Sequence, residues 1–494
     1  MELNAGQGIA INNIAYMAFI AYLFLLVVIG IYSVRFSSRG VNEFFLGGRQ
    51  MNKLVVALSA VVSGRSGWLL VGVTGMAYLR GLSAIWAIIG YTLMEFFLFL
   101  VVAPKLRKQT EDLDALTVPD YFSRKYKQYG GLIRVIASII IVVFLTSYVS
   151  AQLLGGAKTF AASFHISATT GLWLTTIIVL LYTLMGGFLA VALTDVVQAF
   201  FMIFGLVILP VYVLIDHGSW SYFSALLNQL NPDLLDITAL SAGALIGFLG
   251  IGLGSPGNPH IVVRYMSIKN PDELKFSAYV ATFWNVVMGV SAIVIGMQGR
   301  ALFPELSMIP HGDAESIFPF LAQQYLHPVI FGIIVASILA AIMSTTDSML
   351  LVVASTIIRD IYQNMFKSGK DIPQQKLVLY SRLSIIVVIL LAVLLGFVAD
   401  KIVFWLVLFA WGGLGAAFGP ALLFSLFWPK TSATGIIAGM ISGGLTVILW
   451  KQVPYLSSLV YELIPAFIIS SLTIVIFSLK TWGNSMKMMQ NRNE

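Results

Sequence analysis

Apolar residues run along this chain in blocks of about 20, the length a helix needs to cross a bilayer, and not in the short alternating runs of strands. Thirteen such blocks read as spans, at about 13–34, 54–78, 81–103, 133–156, 168–193, 195–215, 239–258, 277–298, 327–357, 379–399, 402–428, 433–451 and 457–480. Only helices and closed barrels satisfy every backbone N–H and C=O in lipid, and blocks of this length select helices. The gaps between them reach at most about 30 residues, too few for a soluble domain. No basic segment precedes the first block, which is too long for a cleavable signal, so it is expected to remain as a helix. The fold class expected is therefore an all-α polytopic membrane protein.

Composition agrees. Of 494 residues, 59% are hydrophobic and 10% charged, with a mean hydropathy of +0.91; a soluble domain carries about 25% charged residues. Cysteine is absent, which removes disulfides, thiol catalysis and thiolate metal sites. The net charge of +7 would suit nucleic acid, but its placement points elsewhere. With loops numbered alternately, 23 of the 29 basic residues fall on one side, Arg264 among them, and five (Arg80, Lys158, Arg300, Lys401, Lys451) on the other. Arg65 alone lies inside a span. By the positive-inside rule the basic side is cytoplasmic, which puts the N-terminus outside and the C-terminus inside a cell membrane. The partners expected are the lipid bilayer, a small-molecule solute and an ion, with no nucleic acid and no obligatory protein partner.

Two spans are interrupted. Ser63, Gly64, Arg65, Ser66 and Gly67 sit in the middle of the second span, where helix propensity falls and polar groups would face hydrocarbon. The seventh carries Gly247, Gly250, Gly252, Gly254, Ser255, Pro256, Gly257 and Pro259 in one short run. Irregular backbone at membrane depth is tolerated where it is buried or lines a cavity. Paired interruptions five spans apart point to an inverted-repeat transporter with its binding site at the midplane, although Gly-rich seams also serve helix packing.

The ninth span holds Ser344, Thr345, Thr346, Asp347 and Ser348 in succession. Such hydroxyls often bond back to their own helix. Together with carbonyls freed by an unwound helix, they also supply the hard oxygens that sodium prefers. Intramembrane ionisable residues are candidates for function; here they are Arg65, Glu95, Asp195 and Asp347, with Glu462 near a span end. The five histidines form no spaced metal-binding pair, and no phosphate-binding loop, nucleophile elbow or dinucleotide fingerprint occurs, so no enzyme activity or organic cofactor is expected. A sensor would be expected to carry a signalling domain and a channel a pore loop, and neither pattern is seen.

At this point a family resemblance enters. The stretches Asn42 to Arg49, Ala57 to Ala60, Ser66 to Leu70, Leu116 to Tyr121, Gly186 to Val191 with Thr194 and Asp195, Ala340 to Thr345 and Ala416 to Pro420 resemble the sodium/solute symporter family, in order along nearly the whole chain, and most resemble its bacterial sodium/proline branch. The resemblance implies a LeuT-like core of two inverted five-helix repeats, at 54–215 and 239–428, with one helix before and two more, at 433–480, after. It implies a sodium site made by the carbonyls of Val62, Arg65 and Ala341 and the hydroxyls of Ser344 and Thr345, with sodium as the transported coupling ion. It implies a solute site at Gly64, Arg65, Ser66, Gly67, Trp68, Tyr148, Ile251, Ser255 and Pro259. Coupling roles fall to Asp195 and Arg49, and Asp347 joins them as an intramembrane carboxylate.

The chain departs from the proline branch in that core. Where the branch carries an acidic residue and then methionine before Ser-Gly-Trp, this chain has Gly64 and Arg65. Where it presents aromatic residues in span seven, this chain has Ile251 and Ser255. Arg65 has competing readings. Its guanidinium forks onto a solute carboxylate, or it pairs with Glu95 or Asp347 and stands as a fixed cation, or it is merely structural. An unpaired charge at that depth costs at least about 2.5–3.5 kcal/mol, so a partner is required. The expected function is sodium-coupled import of a small organic solute, proline or another amino acid or carboxylate, by alternating access; the alternative is a proton-coupled or sodium-independent transporter on the same scaffold.

Overall fold

A computed structural model describes residues 5–37, 45–164, 166–185, 187–366, 372–398 and 402–490. The motif residues Asn42, Glu43, Phe44 and Gly186, and the basic residues Arg39, Lys367, Lys370, Lys401 and Arg492, lie outside them. The described chain is helical, with no strand beyond one isolated parallel bridge between Met51 and Ile268. Nine helical segments among the described residues are long and apolar enough to cross a membrane, and three shorter apolar helices accompany them: Asn13–Ile29, Ala168–Leu181 and Ala242–Gly257. One of the nine, Lys53–Asp112, has 60 residues. Drawn out straight it would span about 90 Å, three times the hydrocarbon thickness; it turns at Gly81, whose φ is 62°. The chain is thus the expected all-α multi-pass membrane protein.

Burial separates centre from periphery. In Pro328–Phe366 and Val403–Phe427, 83% of the apolar stretch is buried inside the protein, against 28% in Leu463–Trp482. The hydroxyl-rich helix Pro328–Ser355 is the hub, packing on Ala5–Ser37, Lys53–Gly67, Gly130–Phe164 and Phe188–Asp216.

Both expected interruptions are present. In the first, helical dihedrals continue through Arg65 and fail at a single residue, Ser66, with φ 51° and ψ −172°. A non-glycine residue held there stores about 1–3 kcal/mol of strain, offset locally because the Ser66 hydroxyl accepts the Trp68 N–H at 3.0 Å. In the second, the helix Ala242–Gly250 tightens into the turn Ile251–Gly257 and restarts at Pro259, with the preceding Asn258 extended. The turn's glycines are required by contact: a Cβ on Gly254 would lie 2.0 Å from Trp411 Nε1, and one on Gly257 2.5 Å from the Leu414 carbonyl.

Several span edges are corrected. Residues 168–193 are not one span, because the helix Ala168–Met185 ends and Phe188–Asp216 begins two residues after Gly186. Asp195 therefore lies about two turns inside its helix and not at its head. The seventh span does not stop at 258: proline at the first helical position starts Pro259–Ser267. That helix carries Arg264, counted above as a loop charge, into the core at 1% exposure.

Candidate solute and ion sites

The two breaks meet around a cavity of about 10 Å³, lined by Gly64, Arg65, Trp68, Tyr91, Tyr148, Ile251, Val407, Leu408 and Trp411. That is room for about one water. Of the solute-site residues expected from sequence, the cavity gathers Gly64, Arg65, Trp68, Tyr148 and Ile251. Ser66 and Gly67 form the break itself, and Gly67 N–H donates to Gln152 Oε1 at 2.9 Å. Pro259 instead lines a separate cleft of about 20 Å³ beside Arg264 and Ser348. Ser255 is buried in the second break, and neither its hydroxyl nor the indole N–H of Trp68 has a hydrogen-bond partner among the described residues.

Arg65 dominates the site electrostatically. It is 1% exposed and ion-paired to Glu95, and its Nε donates to Asn285 Oδ1 at 2.7 Å. Asn285 Nδ2 closes the ring on Glu95 Oε2 at 2.5 Å. The guanidinium lies over the Tyr91 ring, 3.7 Å from its centroid. Its third nitrogen makes a long contact, 3.3 Å, to the Gly64 carbonyl. The pairing reading of Arg65 is therefore the one observed, with Glu95 and not Asp347 as the partner. The two-pronged edge that would grip a solute carboxylate is already engaged, and one weakly held nitrogen is left. Sequence reading missed Asn285, one of two amides, with Gln298, in the helix Leu274–Leu302, because no spacing signal marks it.

Next to the first break, four oxygens converge. The Ser344 hydroxyl lies 3.4 Å from the Val62 carbonyl and 3.0 Å from the Ala341 carbonyl, and the Thr345 hydroxyl lies 3.3 Å from Val62. A cation of calcium's size, which sodium matches, takes oxygens at about 2.3–2.6 Å, so ligands at right angles stand about 3.3–3.7 Å apart. The oxygens are hard, uncharged and buried; the two distances to Val62 match that spacing, while the 3.0 Å contact of Ser344 with Ala341 is an ordinary hydrogen bond within the helix. The Arg65 carbonyl, the fifth expected oxygen, instead accepts the Trp68 N–H.

A second polar cluster lies one to two turns away along the same helices. Asp195 Oδ2 accepts from Ser59 at 2.6 Å, from Ser63 at 3.3 Å and from Arg264 Nη2 at 3.3 Å. Arg264 also donates to Ser59 at 3.0 Å and to the Ser348 hydroxyl. Ser348 in turn contacts Asp347 Oδ1 at 3.4 Å, so the two expected coupling carboxylates share one cluster. Ser59, Ser63 and Arg264 were missed. The Asn258-Pro259 helix start was the available signal for Arg264.

Arg49 stands apart, at the end of the helix bundle, with φ 56°. It donates to the carbonyls of Thr110, Ala115 and Met266 at 3.0, 2.7 and 3.1 Å. Burial, reinforced by the neighbouring Arg107, holds its guanidinium below the ordinary value. Around it, Met51 N–H bonds the Ser267 carbonyl at 3.1 Å and Lys269 N–H bonds Met51 at 2.8 Å, which clips the ends of the two broken helices together. Beside this network Lys125 donates to the Ser425 carbonyl at 2.5 Å and to Gln109 at 2.8 Å. Burial pushes its amine down to about 8.

A profile of the sodium:solute symporter family matches residues 44–443. The chain is 38% identical over 475 residues to a sodium/proline symporter of Salmonella typhimurium, covering 95% of this chain and 94% of that one. It is 37% identical over 463 residues to the osmoregulated proline transporter OpuE of Bacillus subtilis, covering 93% of each. Its fold is shared with a Na+-coupled sialic acid symporter solved in a substrate-bound outward-open state, at a TM-score of 0.78 and 20% identity over 95% of this chain and 97% of that one. Family profile and relatives agree across the core that holds both breaks and the oxygen cluster: the chain belongs to the sodium:solute symporter family, multi-pass membrane transporters and not enzymes, with sodium as the coupling ion.

Proposed function

We propose that the chain imports a small zwitterionic or anionic solute, an amino acid such as proline or a related carboxylate, with sodium bound between Val62, Ala341, Ser344 and Thr345. The observation that carries this is the convergence of those four oxygens beside the cavity at the two breaks. Sodium there bridges the first broken helix to Pro328–Ser355 and favours the conformation in which both are held together. An ion shifts that equilibrium only by its differential affinity for the two states, and low cytoplasmic sodium releases the bridge. The solute occupies an opened form of the central cavity, its polar groups meeting the free donors of Trp68 and Ser255 and the third nitrogen of Arg65. Asp195, Asp347 and Arg264 link the ion-site helices, and the Arg49 network is the gate on the cytoplasmic face. In this reading there are thirteen spans, two inverted repeats at 54–215 and 239–428, two further helices at 433–480, an external N-terminus and a cytoplasmic C-terminus in the cell membrane.

Proline as substrate is supported by two relatives that are proline transporters by name. The sodium-independent alternative loses its motive, because Arg65 and Glu95 form a neutral pair and leave no surplus charge to replace an ion. The test is uptake of labelled proline, and of a panel of amino and carboxylic acids, into proteoliposomes with and without an inward sodium gradient. Accumulation of one compound only with the gradient is expected; accumulation indifferent to sodium would overturn the proposal.

A further inference from the structure

Beside the Arg49 network, three helical segments reach the rim of the bundle. The Thr110 carbonyl that Arg49 holds lies on Ala103–Asp112, and the Ser425 carbonyl that Lys125 holds lies near the end of Val403–Phe427. Lys105 Nζ stands 4.1 Å from the centroid of the Phe427 ring, and Lys430 Nζ 4.6 Å from that of Trp482 on Leu463–Gln490. Phe427 and Lys430 are close in sequence, so the two contacts run together from the first segment to the third. Both lysines are exposed.

The charge at this rim is of one sign. Lys53 and Lys158 have acidic partners, and Lys125 has carbonyl and amide oxygens. Among the described residues Lys105 and Lys430 have an aromatic face and no ion pair. From Ser425 to Trp482 the sequence holds a single acid, Glu462, which about 30 Å of helix separates from Trp482. On Ala103–Asp112, Glu111 is already paired with Arg107 at 2.8 Å, and Asp112 lies about 10 Å along the helix from Lys105. An aromatic face holds an ammonium in place and leaves its outward protons for another acceptor.

Below the lysines the surface is apolar. Phe97 and Val101 are exposed on the helix that leads to Lys105, and Leu472, Ile476, Leu479 and Trp482 form an exposed stripe at helical spacing on the third segment. Cations at the membrane rim, above apolar stripes and beside an interfacial tryptophan, match a molecule with an anionic head and acyl chains.

We propose that this rim binds an anionic phospholipid, its phosphate against Lys105 and Lys430 and its acyl chains along the two stripes. The lipid ties Ala103–Asp112, which carries Thr110 of the Arg49 network, to the end of Val403–Phe427. Neither the identity of the solute nor that of the ion bears on this site.

The test is native mass spectrometry of the purified full-length protein in detergent, titrated with dioleoyl phosphatidylglycerol or with zwitterionic dioleoyl phosphatidylcholine. Phosphatidylglycerol is expected to bind roughly tenfold more tightly, and Lys105→Gln/Lys430→Gln to remove most of that preference. The charge-keeping pair Lys105→Arg/Lys430→Arg is expected to retain it. So is Lys275→Gln/Lys376→Gln, which removes two exposed lysines elsewhere on the same basic side. Glycerol 3-phosphate, a head group without chains, is expected not to compete. Equal binding of the two lipids, or an unaltered Lys105→Gln/Lys430→Gln variant, would overturn the proposal. An equal loss in Lys275→Gln/Lys376→Gln would overturn it by making the attraction diffuse, and competition by glycerol 3-phosphate by showing a site for soluble phosphate esters. Both lysines are exposed, so the variants are expected to fold, and a wild-type thermal midpoint in phosphatidylcholine checks this.

Discussion

Glu95→Ala is the most informative single change in the core. Arg65 is 1% exposed and Glu95 2%, and the variant leaves the guanidinium with Asn285 and the face of Tyr91 as its remaining close partners. Breaking a buried ion pair by deleting one member costs about 3–5 kcal/mol. Arg65→Met strands Glu95 instead, at a similar cost. The double variant removes both charges. What it forfeits is the contact with Tyr91, about 2 kcal/mol when desolvated, and part of the Asn285 bonding, about 1–3 kcal/mol. The singles therefore sum to about 6–10 kcal/mol, while the double is expected near 3–5, leaving a coupling energy of about 3–5 kcal/mol. One kcal/mol moves the midpoint by about 2–4 °C for 150–250 residues; for this longer chain we take roughly 1–2 °C. The assay is the apparent thermal midpoint of purified protein in detergent for the four members of the cycle. Each single variant is expected to fall by about 3–10 °C, with the double variant no lower than the worse single. If the double variant falls by the sum of the singles, the two residues are not coupled and the charge-neutral pair is the wrong description.

Other changes test the remaining contacts. Ser344→Ala and Thr345→Ala each remove one ion-site oxygen, which at about 1–3 kcal/mol raises the sodium concentration for half-maximal uptake by roughly 5- to 150-fold; a sodium titration unchanged in both would exclude that site. Gly254→Ala puts a methyl 2.0 Å from Trp411 Nε1 and displaces the indole from its 2.8 Å bond to the Ile251 carbonyl. A loss of about 1–3 kcal/mol is expected as a lowered thermal midpoint, and a midpoint equal to wild type would contradict the contact. Lys125 has a depressed amine, about 8 against an ordinary 10.5, so between those values the unfolded chain binds more protons and stability rises with pH. Lys125→Met should flatten the rise in apparent midpoint between pH 8 and 10.5, and identical slopes would remove Lys125 as its source.

What could be read from sequence follows the range of the physics involved. Lipid acts on every residue of a span, so blocks of about 20 apolar residues declare themselves without knowledge of any neighbour, and breaks built from Gly and Pro do the same through local propensity. The hydroxyls of Ser344 and Thr345 were legible because they are adjacent on one helix. Their meeting with Val62 had to come from the family resemblance, since it joins residues 282 and 283 positions apart. Arg65 shows the limit. Its burial implied a partner, but Glu95 and Asp347 were equally good candidates until the fold placed Glu95 and Asn285 around it. Arg264 shows the cost of reading charge by loop membership alone. A lysine or arginine near a span end counts toward topology only if the helix really ends there, and Pro259 starts a helix that carries Arg264 inward to Asp195. The strained backbone at Ser66 was the least legible feature, because the flanking Gly64 and Gly67 are the residues that tolerate positive φ. That the chain bends at the serine and keeps both glycines helical follows from contacts on either side: a Cβ at Gly64 would meet Ile261 at 3.0 Å and one at Gly67 would meet Ile342 at 3.0 Å. The glycines are there so that helices can approach the break, and the serine hydroxyl is there to hold it.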